Sequence, residues 1–151
     1  MDTPEPRIRI SAMSVENVEK VEELEKACFS APWSLDSLVE ELSNPMAVFR
    51  VAYLGEELAG YMGMHHIIDE GYITNIGVFP QLRRQGVARA LLEDMLCYGE
   101  ENDLNFLTLE VRPSNEAAIA LYKAYGFEEA GRRTGYYQNP VEDALLLTRK
   151  L

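Results

Sequence analysis

Residues 7–12 (RIRISA) alternate polar and apolar side chains, the period of a half-buried strand. The period then lengthens. Val15, Val18, Val21 and Leu24 recur at helical spacing, which predicts a helix from an N-cap at Ser14 through Ala27. Pro32 and Ser34 open a second helix, in which Leu35, Leu38, Val39 and Leu42 recur before Pro45 stops it. The runs 48–54 and 58–68 flank Gly55-Glu56-Glu57 and read as a hairpin; 71–78 (GYITNIGV) is a further strand, ended by Pro80. From 86 to about 101 the pattern is helical, with Ala88, Leu91, Leu92, Met95 and Leu96 on one side. Residues 106–111 (FLTLEV) read as a strand. Pro113-Ser114-Asn115 opens a helix running to Tyr125, which Gly126 closes, and strands near 127–132 and 144–151 follow.

The order is thus β-α-α-β-β-β-α-β-α-β-β. The early meander argues for antiparallel pairing, and the β-α-β unit from 71 to 111 for a right-handed parallel crossover. The expectation is a single domain over residues 1–151 of the α/β (α+β) class, a mixed sheet with helices on its faces. The length suits one domain, and 47% hydrophobic with 26% charged residues is a globular composition. No run approaches the roughly 20 apolar residues of a membrane-spanning helix. The start, MDTPEPRIRI, lacks the apolar stretch of a secretory signal, so a cytoplasmic protein is expected.

Charge narrows the functional classes. The chain has 14 Lys+Arg against 25 Asp+Glu, a net charge of −11, where a nucleic-acid binder needs a basic footprint. The acidity is uneven: residues 1–75 carry 14 acids and 5 bases, residues 76–151 carry 11 and 9. Three of the latter bases, Arg83, Arg84 and Arg89, fall within seven residues, a basic spot suited to a small anionic ligand on a body that would attract a cationic partner. Cys28 and Cys97 are far apart and form no Cys-x-x-Cys; each is expected as a small buried hydrophobe, without a disulfide. His65 and His66 are adjacent in a strand and point to opposite faces, so no metal site is assigned.

The most informative stretch is 74–92, TNIGVFPQLRRQGVARALL, where a strand runs into an Arg/Gly loop that becomes the first turn of a helix. A helix N-terminus offers unpaired N–H groups and positive dipole, a ready anion site. Gly86 would let the backbone approach a pyrophosphate with no Cβ in the way, and Ala88 is small for the same reason. On that basis Gly86→Val is expected to block the ligand with little loss of folding. The spacing matches neither a Walker loop nor Gly-x-Gly-x-x-Gly, and taken alone it also fits an ordinary basic loop before a helix. In 106–111 the alternation sets Leu107, Leu109 and Val111 on one face and Phe106, Thr108 and Glu110 on the other. Asn115 and Tyr122 are seven apart, hence on one helix face.

Arg83-x-x-Gly86-x-Ala88 resembles the cofactor motif of the GCN5-related N-acetyltransferases. The likeness extends to Phe29, Pro32-Trp33-Ser34, Thr74 to Val78, Arg83 to Leu92, Leu109 to Arg112, Ser114-Asn115, Ala120-Leu121-Tyr122, Tyr125-Gly126-Phe127, Arg132-Arg133, Tyr136-Tyr137 and Glu142-Asp143-Ala144. These look like the ribosomal-protein alanine N-acetyltransferase (RimI) branch. The resemblance implies a mostly antiparallel sheet with a V-shaped splay between the strands near 71–78 and 106–111. It implies acetyl-CoA as co-substrate and no metal. The main chain of Ile76, Gly77 and Val78 would hold the acetyl and pantetheine arm. Arg83, Arg84, Gln85, Gly86, Val87, Ala88 and Arg89 would form the pyrophosphate turn, and Asn115 would touch the cofactor. Glu110 would be the base and Tyr122 the acid. The implied acceptor is a protein N-terminus, most specifically the N-terminal alanine of a small-subunit ribosomal protein, walled by Tyr136, Tyr137 and the Pro32-Trp33 region. No membrane or direct nucleic-acid partner is implied. A non-catalytic CoA-binding module and an acetyltransferase of other N-termini or small amines are the alternatives.

Overall fold

A computed structural model of the chain describes residues 7–151. The reading of the N-terminus as free of a secretory signal rests on residues 1–6 and lies outside them. Seven strands and four helices follow the predicted order: β1 (Ile8–Ala12), α1 (Val18–Cys28), α2 (Leu35–Leu42), β2 (Ala47–Leu54), β3 (Glu57–Ile67), β4 (Glu70–Val78), α3 (Val87–Glu101), β5 (Phe106–Val111), α4 (Glu116–Ala124), β6 (Glu128–Tyr137) and β7 (Glu142–Lys150). A short 3-10 turn, Pro80–Leu82, separates β4 from α3. The strands form one sheet in the order β1-β2-β3-β4-β5-β7-β6. The β4–β5 ladder is parallel, while the β1–β2, β5–β7 and β6–β7 ladders are antiparallel. The parallel ladder pairs Glu70, Gly71 and Tyr72 with Phe106, Leu107 and Thr108.

The start of α1 differs from the expectation. Ser14 does not cap it; the helix begins at Val18, and Val15 is 78% exposed in the preceding turn. Asn17 closes that turn instead, accepting from the Ser14 N–H at 2.8 Å and donating to Ala12 O at 3.3 Å. A side chain that bonds its own local backbone competes with the helix, which moves the boundary by one turn. Ser34 does cap α2, accepting from Ser37 N–H. Val39 of that helix is 44% exposed and belongs to its outer edge.

Contacts divide the chain into two compact units, residues up to Gly63 with Asn75–Met95, and Met64–Thr74 with Leu96–Leu151. In the first, Val18, Val21 and Leu24 of α1 and Leu38 of α2 bury against Phe49, Val51, Leu58, Tyr61 and Phe79. Two glycines let backbone approach here. A Cβ on Gly60 of β3 would lie 2.8 Å from Gly77 O, and one on Gly77 of β4 would lie 2.8 Å from Leu24 Cδ2. In the second unit β5 buries Leu107, Leu109 and Val111 and turns Phe106, Thr108 and Glu110 the other way, as the alternation requires. Tyr122, Phe127, Ala144, Leu145 and Leu147 are buried in the same unit.

Both cysteines depart from the expected burial. Cys97 is exposed and Cys28 only partly covered. The Cys28 thiol donates to Val78 O at 3.2 Å, and burial is the main cause that raises its pKa. His66 bonds Tyr98 Oη through Nδ1 and Ile68 O through Nε2. Among the described residues no group of His, Cys, Asp or Glu has metal-binding geometry, and no helix is long and apolar enough to cross a membrane.

Candidate active site

β4 delivers Ile76, Gly77 and Val78 to the loop that opens α3. Val78 is 8% exposed and Val87 2%, so these two side chains belong to the core and only their main chain is available to a ligand. The loop is tightly wound: Arg84 and Gly86 take φ of +66° and +84°. A non-glycine residue in the left-handed region is uncommon and is sustained by its surroundings. Only Ile8 Cδ1, at 3.8 Å, lies near the position of a Gly86 Cβ, so there is space for a side chain but no relaxed backbone for one. The strained backbone adds a folding cost to the expectation that Gly86→Val blocks the ligand with little loss of folding. The first helical hydrogen bond of α3 runs from Ala90 N–H to Gly86 O, at 3.0 Å. The N–H groups of Val87, Ala88 and Arg89 therefore precede the helix's own ladder and point toward its N-terminal end. Arg84, Gln85, Gly86 and Arg89 are exposed around them. That geometry fits a phosphate-bearing ligand: backbone donors, the dipole of a 15-residue helix, and two cationic side chains.

Arg83 stands apart from Arg84 and Arg89. Its Nε donates to Val78 O at 3.1 Å, and its Nη2 lies 3.7 Å from Cys28 Sγ. It braces the end of β4 against α1.

The second unit carries Glu110, Asn115 and Tyr122. Glu110 stands on the half-open face of β5 and pairs with Arg133, Oε1 to Nε 3.2 Å. Asn115 caps α4, its side chain accepting from Ala118 N–H at 3.3 Å. Tyr122 is 3% exposed, with its ring 5.5 Å from that of Phe127. Burial, with a smaller effect of Tyr137, pushes its phenol pKa up, so the hydroxyl keeps its proton at neutral pH. Tyr137 is the common neighbour. Burial first, then Tyr136 and the Glu110 charge, push its own pKa up to about 12.

One cluster in this unit had no local signal in the sequence. Glu142 accepts from the Ser114 N–H and hydroxyl, both at 2.9 Å, and from Arg112 Nη1 at 3.3 Å. Arg112 also donates to Gln138 O and Pro140 O and lies over the Tyr137 ring at 4.4 Å. The residues are 26–30 apart in sequence, so only the fold reveals them. They pin the β6–β7 turn to the β5–α4 loop. In the first unit the missed residue is Glu25, an acid within the apolar face of α1 that is 1% exposed. Beside it an open groove is lined by Pro32, Trp33, Ser34, Ser37, Glu40 and Glu41.

The acetyltransferase (GNAT) family profile matches residues 18–127. The ribosomal protein bS18-alanine N-acetyltransferase of Escherichia coli (strain K12) is 34% identical over 140 residues, covering 91% of this chain and 94% of the relative. A Bacillus subtilis (strain 168) protein, provisionally named for the same activity, is 38% identical over 136 residues, covering 89% of this chain and 90% of its own. The crystal structure of the E. coli ribosomal-protein-S18-alanine N-acetyltransferase superposes with a TM-score of 0.88, at 31% identity, over 95% of this chain and 94% of that one. The fold is shared as well by Arabidopsis thaliana NAA60 in complex with acetyl-CoA, at a TM-score of 0.87 and 20% identity, over 96% of this chain and all of that one. The chain belongs to the acetyltransferase (GNAT) family.

Proposed function

We propose that the chain, acting as one catalytic domain, is a cytoplasmic N-α-acetyltransferase that moves the acetyl group of acetyl-CoA to a protein N-terminus, the N-terminal alanine of ribosomal protein bS18. The observation that carries the acceptor is the 34% identity to the E. coli enzyme of that name across nine-tenths of both chains. The turn at α3 supports the donor: a diphosphate needs donors and positive potential, and a body of net charge −11 supplies them at few other places. Membrane and nucleic acid have no part in this reading.

The reaction asks for three things: a neutral amine, stabilisation of an oxyanion, and a proton for the departing thiolate. An α-amine has an unperturbed pKa of about 7.7–8.0 against about 10.4 for lysine, so a protein N-terminus is easily neutralised near pH 7. Glu110, directly or through one water, takes the amine proton as the nitrogen bonds to the thioester carbonyl carbon. A main-chain N–H at Gly77-Val78 receives the oxyanion. As the C–S bond breaks, the Tyr122 hydroxyl gives its proton to the CoA sulfur. Residues 84–89 would hold the pyrophosphate, their loop braced by Arg83, and Asn115 would offer the cofactor a polar contact.

Incubation with acetyl-CoA and peptides of varied N-terminus, read by mass spectrometry, tests this. Acetyl should appear on the α-amine of the bS18 N-terminal peptide. Faster acetylation of free amino acids or polyamines than of any peptide overturns the assignment.

A further inference from the structure

Glu25 is a buried carboxylate that the mechanism above does not use. It lies on α1 and is 1% exposed. Three donors from three segments converge on it. Trp33 N–H, in the loop after α1, donates to Oε1 at 2.8 Å; the Tyr61 hydroxyl of β3 donates to Oε2 at 2.5 Å; Asn75 Nδ2 of β4 donates to Oε2 at 3.4 Å. All four residues lie in the first unit. Each of these partners is neutral, so the group is held by hydrogen bonds to dipoles. For stability alone this is a poor device, because a buried carboxylate loses its hydration and an apolar side chain of similar volume would pack without that loss.

Asn75 adds a second oddity. Its NH2 must face Glu25, because two acceptors would repel. Its Oδ1 is then left buried with no hydrogen-bond partner, alone in this among the described side chains. The molecule thus keeps a buried carboxylate and an orphan oxygen at one junction. On one side of that junction is the Pro32-Trp33 loop lining the groove; on the other is β4, one residue before Ile76. Arrangements that are costly for stability and satisfied only in one geometry fix position.

We infer that Glu25 is a positioning residue for the acceptor: it fixes the Trp33 main chain relative to the acetyl-holding strand through Asn75. The inference rests on the acetyltransferase reading above and on the Pro32-Trp33 loop as an acceptor wall. Glu25→Ala removes both acceptor oxygens, so the Trp33 N–H and the Asn75 NH2 lose their shared partner and the loop loses its reference to β4; in Glu25→Gln the Asn75 amide turns over and offers its orphan Oδ1 to the new NH2. Tyr61 is bonded to Glu25 but belongs to neither side of the junction.

The experiment is steady-state kinetics with the bS18 N-terminal peptide, together with acetyl-CoA affinity by calorimetry and Tm. Glu25→Ala should raise the peptide KM by about 10- to 100-fold, with kcat within about threefold and acetyl-CoA affinity unchanged. Glu25→Gln keeps an acceptor for the Trp33 N–H and gives the turned Asn75 Oδ1 a donor, so it should keep the KM within about threefold of wild type. Tyr61→Phe should lower Tm and leave KM in place. Should Glu25→Ala not fold, Glu25→Asp, which keeps the carboxylate but shortens the reach, should show the same KM change in smaller size. A folded Glu25→Ala or Glu25→Asp variant with wild-type KM, or a KM that merely tracks Tm across all the variants including Tyr61→Phe, overturns the inference. If the wild-type protein acetylates a small amine and no peptide, the acceptor reading fails separately, and the Glu25 role is decided by the same KM ratio measured with that amine.

Discussion

Glu110 Oε1 lies 3.2 Å from Arg133 Nε, so the carboxylate proposed as the base is shared with a cation on β6. The pair is half-open, with side-chain exposures of 29% and 57%, and such pairs contribute about 0–1 kcal/mol. Little free energy is needed to release Glu110 toward an amine or a water. Arg133→Ala should shift Tm by no more than about 2–4 °C. Glu110→Gln should lower kcat/KM by about 10²–10⁴ at neutral pH while sparing cofactor binding, and higher pH should recover part of the loss, since more of the α-amine is then neutral. Thermal melts of Arg133→Ala and a pH–rate series on Glu110→Gln check the two statements; near-normal activity of Glu110→Gln at pH 7 would leave the carboxylate without a role as base.

Tyr122→Phe removes only a hydroxyl from a buried ring. Its raised pKa keeps the phenol protonated throughout an ordinary assay range, so the loss should be in kcat, with the pH dependence of the amine unchanged. Rates measured from pH 6.5 to 9.5 for this variant should run parallel to the wild type on a logarithmic scale. A change of shape like that of Glu110→Gln contradicts the assignment of acid and base to different residues.

Three glycines separate packing from backbone strain. Gly60→Ala drives a Cβ to 2.8 Å from the Gly77 carbonyl, and Gly77→Ala drives one to 2.8 Å from the fully buried Leu24. Both should destabilise by about 1–3 kcal/mol. Gly86→Ala meets no neighbour closer than 3.8 Å but must hold φ near +84°, a cost of about 1 kcal/mol, smaller than that of the two others. Urea midpoints rank the three, and a Gly77→Ala protein as stable as wild type would show that Leu24 has room to move.

Alkali should loosen the fold. Burial raises the pKa of Tyr61 and Tyr122, and of Tyr137 to about 12. An unfolded tyrosine titrates near pH 10, so between that value and the folded one the native state binds more protons than the unfolded state, and stability falls as pH rises. The urea midpoint should be flat with respect to these groups up to about pH 9 and fall from about pH 10 to 12; Tyr61→Phe should make that fall shallower. A midpoint unchanged at pH 11 contradicts it.

The parts of the fold that were legible in the sequence are those set by neighbours in the chain. The alternation of FLTLEV placed Glu110 on the open face of β5, and Ser34 and Asn115 marked helix starts that their side chains do cap. The Arg/Gly stretch marked the first turn of α3. Ser14 misled because Asn17 competes for the local backbone, and Cys97 because an apolar average hides which side of a helix faces water. Arg83 read as one of three equivalent cations; only the fold shows its guanidinium turned back to Val78 O and Cys28. Glu25 and Glu142 had no legible role, since their partners lie up to 50 and 30 residues away.

The central claim is that acetyl moves from acetyl-CoA to the α-amine of a protein N-terminus. The most direct measurement is tandem mass spectrometry of a bS18 N-terminal peptide that also carries a lysine, after incubation with the protein and acetyl-CoA at pH 7. A mass gain of one acetyl group located on the N-terminal residue, accumulating about 10²–10⁴-fold more slowly with Glu110→Gln, is the predicted result. Acetyl on the lysine side chain alone, or no transfer to any peptide by a protein that binds acetyl-CoA, would contradict it.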